Sequence, residues 1–349
     1  MPALPSAFSA RLIAWQKNHG RHDLPWQCSR DPYRVWLSEV MLQQTQVATV
    51  IPYYRRFLER FPDVAALAAA SPAAVAEAWA GLGYYSRGRN LHRCARQVVA
   101  DHGGRFPASA AALEALPGIG RSTAAAIAAF AWGERAAILD GNVKRVLCRH
   151  FGVEGWPEAA AVKKTLWALA ESLLPAADCG AYTQGLMDLG ATLCTRRRPD
   201  CSACPLAATC IARQEGRQGE LPAGRQRTAP VEKAASFLLL TDGRGVLVER
   251  RPPAGIWGGL LVPPEGEPEA LLADLGLAGH PWQALAPVRH SFTHFRLLAT
   301  PVLCRLASVP SAAARPGREW LPLERVGTAA LPALFRRLLV GLGDVGEAL

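Results

Sequence analysis

Residues 6 to about 210 carry apolar side chains at the three- and four-residue spacing of amphipathic helices. Helix starts are marked at Asp31-Pro32 and Ser71-Pro72, where a capping side chain precedes a proline. Helix ends are marked by closely spaced glycines, at Gly81-Leu82-Gly83 and Gly103-Gly104. This part of the chain, residues 1–211, is therefore predicted to be an all-α domain.

The pattern changes after residue 211. Residues 212–233 are polar and rich in Gly, Pro, Arg and Gln without a periodic apolar face, which is typical of a linker. Strand-like runs and two helical segments follow, the strands at 236–241, 245–250 and 295–306 and the helices near 267–275 and at 331–342. A smaller α+β domain is predicted over residues 234–349.

The charge balance narrows the class of partner. Thirty-nine Lys and Arg against 29 Asp and Glu give a net charge of +10, which favours a polyanion such as nucleic acid. The longest apolar stretch falls far below the roughly 20 residues that a membrane span needs, and no basic segment with a long apolar run opens the chain. We expect a cytoplasmic protein without a membrane partner.

Four of the nine cysteines cluster in one short segment, residues 194–210. Four thiolates on one compact loop can enclose an iron-sulfur cluster, whereas structural zinc more often uses two C-x2-C pairs on separate turns. The spacing C-x6-C-x2-C-x5-C therefore favours a [4Fe-4S] cluster, with the ligands Cys194, Cys201, Cys204 and Cys210. Arg196, Arg197 and Arg198 lie between the first two ligands, where a fixed loop would present their guanidinium groups to phosphate oxygens.

A glycine-rich turn, Gly118-Ile119-Gly120, opens an Ala-rich helix. Consecutive backbone N–H groups at a helix N-terminus form a site for a phosphate. An ordinary tight turn between two helices would use the same glycines, so this motif alone leaves both interpretations open.

Two carboxylates are candidates for acid and base chemistry. Asp140 sits at a helix start together with Asn142, where nearby N–H groups favour the ionised carboxylate, although such an Asp is often only a cap. Glu39 lies off the apolar face of a helix across 31–47, which by periodicity favours a solvated surface residue. Its bulky apolar neighbours favour instead a desolvated carboxyl with a raised pKa that serves as an acid.

These stretches together closely resemble the MutY family, the adenine DNA glycosylases of the helix-hairpin-helix superfamily. The resemblance runs over nearly the whole chain and rests on motifs in order: LPWQ at 24–27, WLSEVMLQQTQVATVIPYY at 36–54, GLGYYSRGRNLH at 81–92, LPGIGRSTAAAI at 116–127, ILDGNVKRVL at 138–147, the four-Cys loop and RPPAGIWGGLLVPP at 251–264. It implies removal of adenine mispaired with 8-oxoguanine or guanine in double-stranded DNA, by hydrolysis of the N-glycosidic bond.

The resemblance also implies roles for single residues. Glu39 matches the general acid that protonates adenine, Asp140 the carboxylate that stabilises the cationic sugar, and Asn142 a residue that helps to order the site. Gln43, Gln44 and Tyr84 match residues that enter the duplex at the lesion. The full set expected to contact DNA is Gln43, Gln44, Tyr84, Leu116, Gly118, Gly120, Ser122, Lys144, Arg196 and Arg197.

The C-terminal domain resembles the Nudix hydrolase fold but lacks the helix with a run of Glu residues that binds metal in active nucleotide pyrophosphatases. In the family this domain reads 8-oxoguanine, and residues 289–295 match its recognition loop, with the expected contacts His290, Phe292, Thr293 and His294. Thr293 stands where a serine is frequent and keeps the hydroxyl. His22-Asp23 stands where close relatives carry a basic residue, which puts a phosphate contact there in doubt.

Position 122 distinguishes the main alternatives. The sister enzymes of the endonuclease III type excise oxidised pyrimidines and cut the strand through a Schiff-base lysine, and a serine cannot form an imine. Ser122 therefore predicts a monofunctional enzyme. A non-enzymatic DNA-binding iron-sulfur protein is disfavoured because Glu39 and Asp140 are both present. The expected protein is a monomeric, nucleoid-associated repair glycosylase with a helix-hairpin-helix domain and a Nudix-like domain.

Overall fold

The computed structural model describes residues 5–225, 231–252, 255–292, 295–308 and 317–344. The chain divides into two compact units. One comprises Met1–Ala69 and Asn90–Gln226, and the other comprises Ala70–Arg89 and Arg227–Leu349. The second unit thus includes a 20-residue segment that the sequence had placed in the helical domain. No helix among the described residues is long and apolar enough to cross a membrane.

The chain is helical up to residue 214, as predicted. The helices are α1 (Pro5–His19), α2 (Pro32–Leu42), α3 (Val47–Arg60), α4 (Val64–Ala69), α5 (Pro72–Trp79), α6 (Ser86–His102), α7 (Ala110–Glu114), α8 (Arg121–Trp132), α9 (Gly141–Phe151), α10 (Ala160–Ser172), α11 (Cys179–Asp188) and α12 (Ile211–Gln214). A π-helical turn, Leu189–Leu193, continues α11 toward the four-Cys loop.

The local signals in the sequence explain these helix ends. The Asp31 carboxylate accepts the Tyr33 N–H at 2.8 Å and the Ser71 hydroxyl accepts the Ala74 N–H at 3.2 Å, so each satisfies a donor at a helix start. Gly133 ends α8 with φ of 73°, a conformation that costs glycine little.

The core of the helical unit lies between α1, α9 and α11. Phe8, Leu12, Leu147, Tyr182 and Leu186 are each at most 2% exposed. This packing fixes α9, and its first residues follow Asp140 directly.

The C-terminal unit contains a seven-stranded sheet. Its strands are β1 (Val231–Thr241), β2 (Gly245–Arg250), β3 (Leu261–Val262), β4 (Gln283–Ala284), β5 (Val288–Ser291), β6 (Phe295–Arg305) and β7 (Arg318–Pro322). The order is β3-β2-β1-β6-β4, with β5 on β6 and β7 on β2, and β1 runs parallel to β6 while the other pairs are antiparallel. Helices α13 (Pro268–Asp274) and α14 (Ala333–Asp344) complete the predicted α+β unit.

The expected linker differs in the structure. α12 begins at Ile211, Leu221 is only 3% exposed, and the Leu221 carbonyl accepts a hydrogen bond from Arg149 at 2.8 Å. β1 already begins at Val231. Residues 211–221 therefore pack onto the helical unit, because a buried arginine provides an anchor that apolar periodicity does not reveal.

Candidate active site

A pocket of about 510 Å³ opens beside Glu39 in the helical unit. Its walls come from the loop that precedes α2, from α2 itself, from the end of α8 and from the start of α11. They combine aromatic and amide side chains, among them Trp26, Gln27, Phe130 and Gln184. Asp140 is not among the lining residues, so the pocket exposes one of the two predicted carboxylates.

Glu39 lies on α2 between the buried residues Ser38 and Val40. Burial, and to a smaller extent repulsion from Asp140, together raise the pKa of its carboxyl from 4.5 to about 8. The structure thus favours the desolvated acid over the solvated surface residue. At neutral pH Glu39 carries a proton that it can donate into the pocket.

Asp140 caps α9, and its Oδ1 accepts the Val143 N–H at 2.7 Å. This N–H, that of Asn142 and the charges of Arg145 and Lys144 all lower the pKa of Asp140, as expected from its place at a helix start. The net direction is nevertheless the opposite of the expected one, because burial is the largest influence and raises the pKa. The charge of Asp140 contributes to the raised pKa of Glu39.

Ser122, on the first turn of α8, has an intramolecular partner. Its hydroxyl accepts the Leu139 N–H at 2.9 Å. The sequence placed this hydroxyl at the mouth of the helix with DNA, whereas the structure uses it to hold the residue next to Asp140. Ser122 therefore connects α8 to the start of α9.

Asn142 is linked to the four-Cys loop through Arg145. The Arg145 Nη2 donates to the Asn142 Oδ1 at 2.7 Å and to the Gly190 carbonyl at 2.6 Å, and its Nε donates to the Cys194 carbonyl at 2.7 Å. Gly190 allows this approach, since a Cβ there would lie 2.6 Å from the Asn142 Cβ. The residue beside Asp140 is thus held against the backbone of the first predicted cluster ligand.

Arg149, one helical turn beyond Arg145, is only 3% exposed. Its guanidinium donates to the carbonyls of Leu221, Thr195 and Arg196 at 2.8, 2.7 and 3.0 Å and to the Cys194 Sγ at 3.4 Å. Among the described residues no carboxylate pairs with it. A buried cation with only dipolar and sulfur partners is costly unless an anion compensates it.

The four clustered cysteines share one small cavity, about 30 Å³ in volume, with Arg149. Within the described part of the chain, no three His, Cys, Asp or Glu side chains converge closely enough to hold a metal ion. Burial raises the pKa of Cys204 to about 11 and also raises that of Cys210, and the neighbouring cysteines act in the same direction.

The hairpin turn between α7 and α8 presents backbone donors. Gly118 has φ of 79°, and a Cβ there would lie 2.7 Å from the Asn90 Cβ, so both the conformation and the close contact require glycine. Gly120 caps α8 without a side-chain hydrogen bond. Leu116 is 3% exposed, so its side chain anchors the turn and only its backbone can meet a ligand.

Two of the three residues predicted to enter the duplex, Gln44 and Tyr84, have a left-handed backbone conformation. The Gln43 side chain donates to the Thr123 Oγ1 at 3.2 Å, and Gln44 has φ of 57°. Tyr84, in the other unit, has φ of 46° and is 48% exposed. Non-glycine residues in the left-handed region carry strain that is concentrated at functional sites.

The predicted basic contacts divide into two groups. Arg196 and Arg197 are exposed. Lys144 forms an ion pair with Glu158, and its side chain is only 14% exposed. The two arginines are available to a polyanion, whereas Lys144 already has a carboxylate partner.

The predicted lesion loop is described in part. His290 and Phe292 are half-buried and pack on Trp257, with ring centroids 6.0 and 5.4 Å from that of Trp257. Burial lowers the pKa of His290, which favours the neutral ring. Thr293 and His294 lie outside the described residues.

Sequence reasoning missed three features: Arg145, Arg149 and a buried hydrogen-bonded group around Asp188. Asp188 is fully buried and accepts hydrogen bonds from the Arg21 Nε at 2.7 Å and from Gln184 at 2.9 Å. The four-residue spacing of Arg145 and Arg149 places them on one face of α9, a detectable signal. Asp188 and Arg21 are 167 residues apart, and no local pattern joins them.

Comparisons with known proteins place these features among DNA repair enzymes. Residues 37–172 match the HhH-GPD superfamily of base excision DNA repair proteins, and residues 235–340 match the NUDIX domain. The chain is 36% identical to the adenine DNA glycosylase of Homo sapiens, with 95% of this chain and 73% of that protein aligned. It is 33% identical to the adenine DNA glycosylase of Buchnera aphidicola, with 95% and 96% aligned.

Solved structures resemble the helical part. A thermostable thymine-DNA glycosylase is 31% identical with a TM-score of 0.55, over 60% of this chain and 97% of that one. An endonuclease III in a non-covalent DNA complex is 21% identical with a TM-score of 0.52, over 60% and 94%. The second likeness establishes the fold alone.

Proposed function

The chain belongs to the adenine DNA glycosylase family, and from that premise we propose that it removes adenine opposite 8-oxoguanine or guanine and leaves the strand intact. Adenine removal in base excision repair follows from the family. The choice of the opposite base, the single activity and the roles of individual residues are the finer proposals. They are argued below from the contacts in the structure.

The observation that carries the proposal is the buried carboxyl of Glu39 in the wall of the pocket. A carboxyl with a pKa of about 8 holds its proton at neutral pH and has a driving force to transfer it to a ring nitrogen of a bound purine. We infer that the extrahelical adenine enters the 510 Å³ pocket and takes the Glu39 proton as the glycosidic bond breaks. The bond electrons leave with the base.

Asp140 then faces the positive charge that develops on the sugar. Its position at the start of α9 keeps it bonded to the Val143 N–H, so it stabilises the cation without moving. Water adds to the anomeric carbon and passes a proton to the Glu39 carboxylate, which gives an abasic site and restores the acid. Ser122 and Asn142 act as positioning residues, since the Ser122 hydroxyl holds the Leu139 N–H beside Asp140 and the Asn142 N–H bonds to Asp140 itself.

The donor set of the four-Cys loop fits a [4Fe-4S] cluster better than zinc. The four cysteines line one shared cavity and belong to one compact loop, whereas structural zinc more often uses two C-x2-C pairs on separate turns. The buried Arg149 has no carboxylate partner there, and its contact with the Cys194 sulfur suits an anionic cluster. Cys194, Cys201, Cys204 and Cys210 would hold the cluster, whose role would be to stabilise the loop.

Contacts with the duplex are proposed at three places. The start of α8, which has no side-chain cap, offers N–H groups to a phosphate. Arg196 and Arg197 offer exposed guanidinium groups. Gln44 and Tyr84, whose backbones are in the left-handed region, offer their side chains to the base stack. The net charge of +10 favours the encounter with DNA. His290 and Phe292 would help to read the base opposite adenine.

Comparison of three duplexes tests the proposed specificity. The protein is incubated with adenine opposite 8-oxoguanine, with adenine opposite guanine and with thymine glycol, and each sample is divided between treatment with and without hot alkali. We expect cleavage of the first two strands only after alkali, and no reaction with thymine glycol. Cleavage of the thymine glycol strand without alkali would favour an enzyme of the endonuclease III type.

Substitution of Ser122 tests the single activity. Ser122→Lys places an amine where the lyases of the superfamily carry one, so we expect a complex that borohydride traps on the substrate duplex. Because lysine cannot accept the Leu139 N–H, base release should slow as well. Efficient trapping of the unsubstituted protein, with strand cleavage at the rate of base loss, would contradict the proposal.

A further inference from the structure

Residues 70–89 precede the hairpin in the sequence of the helical part, yet they belong to the C-terminal unit. The side chains of Ala76 and Tyr85 pack against the aromatic cluster around Trp257 and Phe335 in that unit. The segment that displays Tyr84 is therefore built on the Nudix-like domain.

The turn that carries Tyr84 is rigid. The Trp79 indole N–H donates to the Gly83 carbonyl at 3.2 Å, and the Arg87 N–H donates to the Tyr84 carbonyl at 2.8 Å. Gly88 lies so close to the Trp79 ring that a Cβ there would be 2.8 Å away. Tyr84 is thus presented outward, at a φ of 46°, from a closely packed support.

Two polar contacts tie this support to the rest of the unit. The Arg89 guanidinium donates to the Gly258 carbonyl at 2.6 Å, and the Tyr85 hydroxyl donates to the Leu331 carbonyl at 3.4 Å. The contact of Arg89 is the shorter and charge-assisted one. Gly258, which accepts the bond from Arg89, directly follows Trp257, and Trp257 has a left-handed φ of 57°.

Trp257 in turn supports the predicted lesion loop. Its ring lies 5.4 Å from that of Phe292 and 6.0 Å from that of His290. The Arg89 N–H donates to the Tyr85 carbonyl at 3.2 Å. A set of contacts therefore runs from the residue after Tyr84 through Arg89 and the 257–258 turn to the start of that loop. Both ends of this path face the same lesion in the proposed function.

We propose that Arg89 is a positioning residue for lesion specificity. Its bond to the Gly258 carbonyl fixes the position of Tyr84, the residue proposed to enter the base stack, relative to residues 290–292 of the lesion loop. When the loop binds the base opposite adenine, Tyr84 is then already in the position from which it enters the duplex. Adenine excision itself uses Glu39 and Asp140, which lie in the other unit. The inference rests on the proposed preference for 8-oxoguanine.

Single-turnover rates of the full chain carrying Arg89→Met test the role. We expect the rate opposite 8-oxoguanine to fall about tenfold, the loss of one charge-assisted hydrogen bond, with the rate opposite guanine nearly unchanged. Arg89→Lys keeps a cationic donor and should recover most of the preference. Arg93→Ala is the matched control, because it removes an exposed charge one turn along α6. An unchanged ratio of the rates opposite 8-oxoguanine and guanine, whether or not both rates fall, would overturn the proposal. The same change of this ratio in Arg93→Ala would also overturn it.

Hydrogen exchange of the free proteins separates this inference from the proposed function. Residues 81–88 should exchange faster in Arg89→Met than in the unsubstituted chain or in Arg93→Ala, because the support has lost its bond to the 257–258 turn. Unsubstituted protein without a preference for 8-oxoguanine would refute the proposed specificity, and exchange alone would then decide whether Arg89 holds the segment. Unchanged hydrogen exchange of residues 81–88 in Arg89→Met would refute the role of Arg89 in holding this segment.

Discussion

The proposed role of Glu39 depends on an environment that is unfavourable to its ionised form. Its carboxyl is buried and lies near a second carboxylate, so the ionised form is destabilised and the pKa rises to about 8. The same raised pKa that makes it an acid at neutral pH costs the folded state free energy when the pH is raised. Active sites commonly retain such residues at the expense of stability.

Glu39→Gln should therefore stabilise the folded protein at neutral pH. The pKa of Glu39 is about 8 in the folded state and 4.5 ordinarily, so the unfolded chain releases the proton first and stability falls as the pH rises from 4.5 to 8. Glutamine removes this penalty, which is on the order of 1–3 kcal/mol near neutrality. Thermal unfolding at pH 7 and pH 4.5 checks it.

The gain in melting temperature should be present at pH 7 and nearly absent at pH 4.5, where the carboxyl is protonated in the folded state and about half protonated in the unfolded chain. Ser29→Ala, which alters another lining residue of the pocket, is a suitable control. A variant less stable than the unsubstituted protein at both pH values would show that Glu39 has no such penalty.

Sequence and structure differ most clearly at single residues. The capping place of Asp140 and the apolar neighbours of Glu39 were visible in the sequence, and both indicated chemistry. The net pKa direction of Asp140 was not, because its burial comes from packing distant in the chain. Likewise the partners Arg89 and Gly258 are 169 residues apart, and no spacing rule links them.

At the scale of elements, α9 organises the helical unit. Asp140 stands at its start, Asn142 and Arg145 follow on its first turns, and Arg149 reaches the four-Cys loop near its end. Local signals predicted the start of this helix. Its partners come from residues 190–221, and the packing of 211–221 was missed because a buried arginine rather than an apolar face anchors it.

Arg149→Leu should reduce the content of the proposed cluster. The substitution removes the contact with the Cys194 sulfur and three bonds to loop carbonyls, so those carbonyls lose their partner and an anionic cluster loses its nearest buried cation. We expect purified protein with less iron and weaker brown absorbance. Iron per chain and the visible spectrum measure this without an activity assay.

Arg197→Ala provides the control, since this arginine is exposed in the same loop. It should keep its iron while its affinity for duplex DNA falls. Full iron content in Arg149→Leu would contradict the role of the buried guanidinium. A colourless unsubstituted protein with one zinc per chain would contradict the cluster itself.

At the scale of the whole molecule, the two units do not follow the order of the sequence. The segment Ala70–Arg89 leaves the helical part of the chain and joins the C-terminal unit. Length, charge and the change from helical to strand patterns were enough to predict two domains. They could not reveal this exchange, because Tyr85 and Ala76 find their apolar partners only in the folded chain.

Removal of residues 234–349 should therefore do more than weaken the proposed lesion reading. We expect a weaker preference for 8-oxoguanine over guanine, together with a lower melting temperature, because α5 and Tyr85 lose the surface against which they pack. Rates on the two duplexes and thermal unfolding measure the two effects. An unchanged preference would refute the reader role of the domain, and an unchanged melting temperature would refute its support of residues 70–89.

Single-turnover release of adenine opposite 8-oxoguanine, followed across pH values on both sides of 8, tests the central role of Glu39 most directly. The rate should fall about tenfold per pH unit above the pKa of about 8, because the acid is then deprotonated. Glu39→Gln and Asp140→Asn should each be slower by a factor of about 10²–10⁴ at neutral pH while binding the duplex normally, and Glu39→Gln should lose the alkaline fall. Unaltered rates in Glu39→Gln, with the alkaline fall retained, would contradict the account.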